Sequence, residues 1–406
     1  MYIERKLENQ IKEQLKLNKI IAVIGPRQVG KTTLTKKIFS DFKGTKKFIT
    51  FDDVKELELF EKDLDSFIQK NVEKYDLLLI DEIQYSKDSG KKLKFIYDNF
   101  KTKIIITGSS SPEITLQSSK YLVGRIIVNN LFSFSFEETI LAKKKEYYEI
   151  YKKNNYKLPV IRELNKLLEE HIIFGGYPEI VLQEEEKNKK LLLNNLINTF
   201  INREVKDILQ IENSITLNNL LKLLSHQTTN LVVESSVGAE ASITNYQLKN
   251  FLKVLQLTYT INLLKPFFNN KRKELTKTPK VYFYDTGFRN AVIKDFSLQN
   301  KGALYENFVF LELIKAGFEP KFWRTKSKAE VDFVIEHENN LIAIEVKAKK
   351  DPLIGKSFFS FLEKYKPKMA IIVSMQKEET RKTPDGIIYF VPFVKLTSFL
   401  ENEKFK

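Results

Sequence analysis

The chain has 406 residues, enough for roughly two to four domains, and its 42% hydrophobic and 29% charged content is that of an ordinary globular protein. With no cysteine and three histidines, disulfides and thiolate metal sites are excluded and a zinc site is disfavoured. Lys and Arg number 67 against 52 Asp and Glu; the resulting +15 attracts polyanions, nucleic acid above all, although abundant Lys, Asn, Ile and Phe also fit an AT-rich genome.

Taken in order, residues 1 to about 19 read as an amphipathic helix, with Ile3, Leu7, Ile11 and Leu15 recurring every four positions. Its start lacks the apolar core of a signal peptide, and no apolar run reaches membrane-span length, so the cytoplasm is expected and no membrane partner. The run Ile20–Ile24 then leads into Gly25-Pro-Arg-Gln-Val-Gly-Lys-Thr32 and a helical stretch from Thr33. Strand, glycine loop ending in Lys-Thr, and helix are what a phosphate-binding loop requires. Gly25 and Gly30 let backbone N–H groups wrap a phosphate, Lys31 reaches the β/γ-phosphates, and the Thr32 hydroxyl can hold Mg²⁺. The nucleotide-binding stretch is Gly25, Pro26, Arg27, Gln28, Val29, Gly30, Lys31, Thr32 and Thr33, joined by Ser109 from a later strand end. ATP and Mg²⁺ are therefore the expected cofactors.

Lys47–Phe51 is read as a strand, 54–74 as a charged helical segment, and Leu77–Ile80 and Lys103–Thr107 as buried parallel strands. Polar clusters fall at each strand's C-terminal end, where an α/β sheet binds ligand. Asp81 is thereby the expected Mg²⁺ carboxylate, Glu82 the base that orients water, and Ser109 or Ser110 a polar sensor of the γ-phosphate. Arg125 either supplies charge to a neighbouring subunit's transition state, in a homo-oligomer, or makes a surface salt bridge.

Together, the P-loop, Leu79-Ile-Asp-Glu-Ile-Gln84, Ile106-Thr-Gly-Ser-Ser-Ser111, Gly124-Arg125, Gly175-Gly-Tyr-Pro178 and Phe283-Tyr-Asp-Thr-Gly287 resemble the prokaryotic AAA-type ATPases of the archaeal-ATPase kind. The resemblance covers nearly the whole chain. It implies an α/β fold with an AAA+ P-loop core, a helical lid and a C-terminal restriction-endonuclease-like module. The expected boundaries are 1–140 for the core, 141–212 for the lid, 213–290 for a winged helix-turn-helix and 291–406 for the nuclease-like domain.

Within 141–170 no motif stands out, and His171 to about Ile211 is read as helical, broken at Gly175-Gly176; Arg203 there is expected in a helix-surface ion pair. From Ser214 two helix faces, Leu217-Leu220-Leu221-Leu224 and Leu248-Phe251-Leu252-Leu255, precede two apolar strands near Ile261–Phe267 and Lys280–Tyr284. Helices followed by strands around Asn269–Glu274 describe a winged helix. The helix from Asn245 would enter a groove of DNA while Lys271, Arg272 and Lys273 contact phosphates. A solvated turn in a protein-binding module is the other reading.

The last segment has a helix opening at Gly302–Glu306, a hairpin of Lys321–Arg324 with Glu330–Ile335, and a strand Leu341–Lys347 whose alternation separates Ile342, Ile344 and Val346 from Glu345 and Lys347. Asp332 precedes Glu345 by thirteen positions, a span a hairpin connection closes. Two carboxylates and a lysine facing one another can bind Mg²⁺ and stabilise attack on phosphate. This resembles the PD-(D/E)XK nuclease core: Asp332 and Glu345 as metal ligands, Lys347 as the charge-stabilising lysine and Glu306 as the helix carboxylate. Val331 stands where that core has proline. The expectation is a Mg²⁺-dependent ATPase acting on DNA, with Mg²⁺-dependent deoxyribonuclease activity as the further expectation from the C-terminal residues. The competing readings are a non-cutting ATP-controlled switch that binds DNA or protein, and, less favoured beside Asp81-Glu82, a metabolite kinase.

Overall fold

The computed structural model describes the chain except residues 1, 110–118, 154–156, 201–214, 269, 271, 273, 275–276, 339, 385 and 402–406. Ser110, Arg203, Lys271 and Lys273 lie outside the described residues. The chain divides into two compact units, residues 1–133 with 257–260, and residues 134–256 with 261–406.

The first unit is built on a five-stranded sheet in the order β2-β3-β4-β1-β5, every pair parallel: β1 Ile20–Ile24, β2 Lys46–Thr50, β3 Leu77–Asp81, β4 Lys103–Gly108 and β5 Ile126–Asn130. β1 and β3 are buried along their whole length, which is why they read as unbroken aliphatic runs rather than alternations. β5 escaped the sequence reading because its Ile-Ile-Val-Asn-Asn is short and only partly buried. The expected helix over 54–74 is two, Val54–Lys62 and Leu64–Asn71, broken where Asp63 caps the second by accepting the Ser66 N–H at 3.0 Å. The N-terminal helix spans Lys6–Gln14, shorter than its periodicity suggested.

The second unit contains a six-stranded mixed sheet, β12-β13-β11-β10-β9-β8: β8 Lys321–Arg324, β9 Glu330–His337, β10 Asn340–Lys347, β11 Met369–Ser374, β12 Glu379–Thr383 and β13 Gly386–Pro392. β8, β9 and β10 are antiparallel neighbours, whereas β10, β11 and β13 run parallel. Ile342 and Ile344 pack into one core with Leu304, Phe308 and Leu311 of the helix Lys301–Lys315. Ala343, Val334 and Ile372 face a second core with Phe358 and Phe361 of the helix Lys356–Tyr365. The sheet is therefore sandwiched between helices, with the alternation of β10 assigning its faces as the sequence suggested.

Upstream, β6 Ile261–Leu264 and β7 Lys280–Phe283 form an antiparallel pair. They follow the helices Ile215–His226, Glu234–Glu240 and Asn245–Leu257. Thr244 and Gln247 cap the last of these reciprocally: the Gln247 N–H donates to Thr244 Oγ1 at 3.2 Å, and the Thr244 N–H to Gln247 Oε1 at 3.0 Å. Of the basic tip Asn269–Glu274 expected between β6 and β7, residues 270, 272 and 274 are described. Arg272 is exposed, but Glu274 is buried, accepting the Phe268 N–H and pairing with Lys321 at 2.8 Å.

The helix Leu158–Phe174 stops at Gly175, at the break expected there. There φ is +77°, and a Cβ would lie 1.9 Å from the Asp285 carboxylate. Asp285 accepts the Gly176 N–H at 2.9 Å and caps the helix Thr286–Val292 through Phe288 N–H at 3.0 Å. The Gly-Gly-Tyr-Pro and Asp-Thr-Gly motifs are thus two halves of one buried clasp.

On the same helix His171 is fully enclosed by Phe136 and Phe308, with Thr139 Oγ1 2.9 Å from Nδ1. Burial, helped by Lys315, holds it well below the usual imidazole range. The unfolded chain then binds a proton that the folded chain refuses, so stability is complete above about pH 6.5 and falls as the pH drops below it. Between pH 6.5 and 5.5 this group alone should cost about 1 kcal/mol. Urea titrations of wild type and His171→Gln should differ in pH slope by that amount, and parallel slopes would remove the assignment. Among the described residues no helix is long and apolar enough to cross a membrane.

Candidate functional site

The loop after β1 is shaped by two glycines. Gly25 sits at φ +148° with its α-carbon so close to the chain that a Cβ would lie 2.0 Å from the Leu131 carbonyl oxygen. Gly30, at φ +91°, turns the loop into the N-terminus of the helix Lys31–Asp41, whose first N–H groups have no intrahelical acceptor. Between them Arg27 is half-buried, Gln28 exposed and Val29 fully buried; Thr33 is exposed on the helix. Lys31 is buried at 5% exposure and donates to the carbonyls of Gly25 at 3.1 Å and Pro26 at 2.7 Å, which places its ammonium inside the loop.

Asp81, the last residue of β3, receives the Thr32 hydroxyl at 2.9 Å on Oδ2 and 3.1 Å on Oδ1. Adjacent parallel strands make this meeting possible, since β1 and β3 both flank β4 and end on the same side. Three hard oxygen donors so placed fit a Mg²⁺ ion, which prefers carboxylate and hydroxyl oxygen.

Glu82 follows in the left-handed region at φ 56°, a conformation costly for glutamate. The Gln84 amide donates both to the Glu82 carboxylate and to Ser109 Oγ, the latter at 3.0 Å, while Gln84 Oε1 is buried without a hydrogen-bond partner. Thr107 of β4 donates to Asp81 Oδ1 and accepts the Glu82 N–H at 3.1 Å.

Thr107, Gln84 and Arg5 also make contacts at this site and were not singled out from the sequence. Thr107 and Gln84 stand inside the quoted motifs, so their signal was present. Arg5, buried at 5% exposure, donates to the Val29 and Phe132 carbonyls at 2.7 Å each, and nothing local in the sequence announces it. Arg125 is engaged by Asp98 in a two-pronged pair, Nε at 2.7 Å and Nη2 at 3.1 Å.

In the second unit, β9 and β10 bring Asp332 and Glu345 side by side, one step beyond the paired Phe333 and Ile344. Asp332 Oδ2 accepts the Val346 N–H at 2.8 Å. Lys347 pairs with Glu345 Oε1 at 2.7 Å, and Glu345 Oε2 is buried with no hydrogen-bond partner. Glu306, from the helix Lys301–Lys315, accepts the Tyr282 hydroxyl at 2.6 Å and Lys280 at 3.2 Å.

Burial and the Asp332 charge push Glu306 up to about 8, against the pull of Lys280. Burial and Asp332 likewise push Glu345 up to about 7. Asp332 is raised by burial, opposed by Lys280. These acids crowd one another in a site that is short of positive charge. Among the described residues no three His, Cys, Asp or Glu side chains are grouped to hold a metal. Two carboxylates suffice for Mg²⁺, however, which keeps several waters, and the orphaned Glu345 oxygen fits such an ion.

Residues 17–140 match an AAA domain family, while 165–299 and 301–396 match two domains of unknown function, DUF8612 and DUF4143. An uncharacterised protein of Haemophilus influenzae is 23% identical over 72% of this chain and 70% of its own. The solved Walker-type ATPase of Pyrococcus abyssi aligns with 72% of this chain and 96% of its own at 16% identity and a TM-score of 0.48. The uncharacterised protein MJ1544 of Methanocaldococcus jannaschii is 31% identical over 82% of this chain and 76% of its own. With that identity over most of both sequences, the chain belongs to the family of MJ1544, and its N-terminal part is an AAA-type P-loop ATPase domain.

Proposed function

We propose that the chain is a Mg²⁺-dependent ATPase acting on DNA. ATP binding and hydrolysis in 1–140 would be coupled, through a lid at 141–212, to DNA binding by a winged helix-turn-helix at 213–290. Phosphodiester cleavage would be the task of a nuclease-like domain at 291–406. The observation that carries the ATPase reading is the Thr32–Asp81 contact beside the buried Lys31 ammonium.

Lys31 and the loop amides bind the β/γ-phosphates, and Thr32 with Asp81 would hold Mg²⁺, which when bound neutralises phosphate charge. Glu82 takes the proton of the attacking water. Gln84 orients Glu82 and ties it to Ser109, while Thr107 fixes Asp81. Arg125 would act in trans only on leaving Asp98, which requires a homo-oligomer.

At the second site Asp332 and Glu345 would hold a divalent cation that supplies Lewis acidity, and Lys347 stabilises charge on the phosphate. The orphaned Glu345 oxygen supports cleavage. A non-cutting switch has its own support, because Lys347 already pairs with Glu345 and Lys280 with Glu306, as in a fold kept for binding.

For DNA contact the helix Asn245–Leu257 offers exposed Tyr246, Lys249 and Lys253. Neutralising Lys271, Arg272 and Lys273 together should weaken binding equally on all sequences. It should also reduce the slope of log K against log salt by about 2.7 if each touches a phosphate. An unchanged slope in a titration at several salt concentrations would place the DNA site elsewhere. The reading as a whole is tested by incubating the purified chain with plasmid and single-stranded DNA, with and without Mg²⁺ and ATP. DNA-stimulated ATP hydrolysis and Mg²⁺-dependent cutting are expected; hydrolysis and binding without cutting would select the switch.

A further inference from the structure

The carboxylate cluster of the second unit contains a basic side chain from outside residues 291–406. Lys280 lies on β7 and is 2% exposed. Its ammonium meets Glu306 at 3.2 Å and Glu330 at 2.5 Å, with the Phe322 ring centre 5.5 Å away. An ammonium ion is strongly hydrated, and burying one is costly unless fixed charges replace its water. Here two carboxylates from different elements, the helix Lys301–Lys315 and β9, do so.

Both carboxylates are held a second time. The Tyr282 hydroxyl donates to the same Glu306 oxygen, and Arg324 donates to the other Glu330 oxygen at 2.6 Å. The cluster is therefore divided. Glu306 and Glu330 are met by cations of the chain itself, whereas Asp332 has the Val346 N–H, and Glu345 has Lys347 on one oxygen and nothing on the other. Four carboxyl groups stand against Lys280, Arg324 and Lys347, and without Lys280 the Glu306–Glu330 side would keep only Arg324 as a cation.

We propose that Lys280 is a positioning residue that takes the place of a second metal ion: its ammonium occupies the Glu306–Glu330 side, so that the site takes a single divalent cation, held by Asp332 and Glu345. The proposal rests on the reading of Asp332 and Glu345 as a metal pair. Glu306 is then a partner of Lys280 rather than a ligand.

The test counts Mn²⁺ bound to the full chain without nucleotide, taking as site-bound the ions lost when Glu345→Ala, Glu306→Gln and Glu330→Gln are combined. One ion is expected in wild type and in Lys280→Arg, and two in Lys280→Met. Glu306→Gln should still bind one, with an affinity within about 2-fold of wild type. Two ions in wild type, an unchanged count in Lys280→Met, or a loss in Glu306→Gln of the roughly 10- to 100-fold typical of a disturbed metal shell would overturn the proposal. If Lys280→Met does not melt cooperatively, the wild-type count and Glu306→Gln decide by themselves. No Glu345-dependent Mn²⁺ in wild type would sink the metal-pair reading and the role of Lys280 with it, whereas a count of two sinks only the latter.

Discussion

Lys31→Ala is expected to lose ATP hydrolysis and to weaken ATP binding by about 1.5–3 kcal/mol, on the order of 10- to 100-fold, the range for a charge-assisted hydrogen bond. The reason is geometric: the ammonium is buried inside the loop, on the Gly25 and Pro26 carbonyls. Glu82→Gln should separate the two effects. It keeps the shape and the charge-independent contact to Gln84 but cannot accept a proton, so binding should stay within a few-fold while hydrolysis falls by about 10²–10⁴. Fluorescent-nucleotide titration and a phosphate-release assay measure the two separately. Normal turnover in Glu82→Gln would leave the water to another residue and make Glu82 a structural turn. Thr107→Val should then give an intermediate loss, because it frees Asp81 without removing any group assigned to the chemistry.

The second large effect is expected at the C-terminal site. Asp332→Ala and Glu345→Ala should each abolish Mg²⁺-dependent cutting together with the divalent-ion binding that precedes it. Lys347→Ala should leave ion binding as tight or tighter, since Glu345 loses a competing cation at 2.7 Å, yet lower cutting by about 10²–10³, the loss typical of one electrostatic stabiliser. The opposite response of binding and cutting marks Lys347 as acting on the phosphate. Plasmid nicking and Mn²⁺ titration of the same preparations give both numbers. If wild type fills the site with Mn²⁺ but cuts no DNA in any nucleotide state, the nuclease reading falls and the binding switch replaces it.

Several elements are legible in the sequence by themselves because their signal is local. β1, β3 and β4 are aliphatic runs, ending at the glycine loop, at Asp81 and at Thr107-Gly108, and burial on both faces accounts for their unbroken apolar character. The loop from Gly25 to Thr32 needs glycine at fixed positions and a lysine at its end, and the adjacency of strand and helix supplies the rest. Asp332 and Glu345 were placed together by counting alone, since a hairpin with period-two alternation leaves few registers.

Other features were settled only by tertiary contact. Lys280 stands twenty-six positions before Glu306 and fifty before Glu330, and in a chain with 67 Lys and Arg nothing distinguishes it until two carboxylates close around it. Arg5 reaches Phe132, 127 residues away, and Asp285 reaches Gly176, 109 residues away. Gly175-Gly176 and Asp285-Thr-Gly287 stood in the sequence only as motifs of the resemblance, and packing makes them a clasp in which a Cβ on any of the three glycines would collide. The edge strand β12 went unnamed because, exposed along nearly its whole length, it has no apolar alternation to betray it. Periodicity and motif spacing determine which residues are buried and which chemistry is available along a segment; which charges finally share a pocket depends on pairings between separate elements, whose energy exists only once the chain has closed.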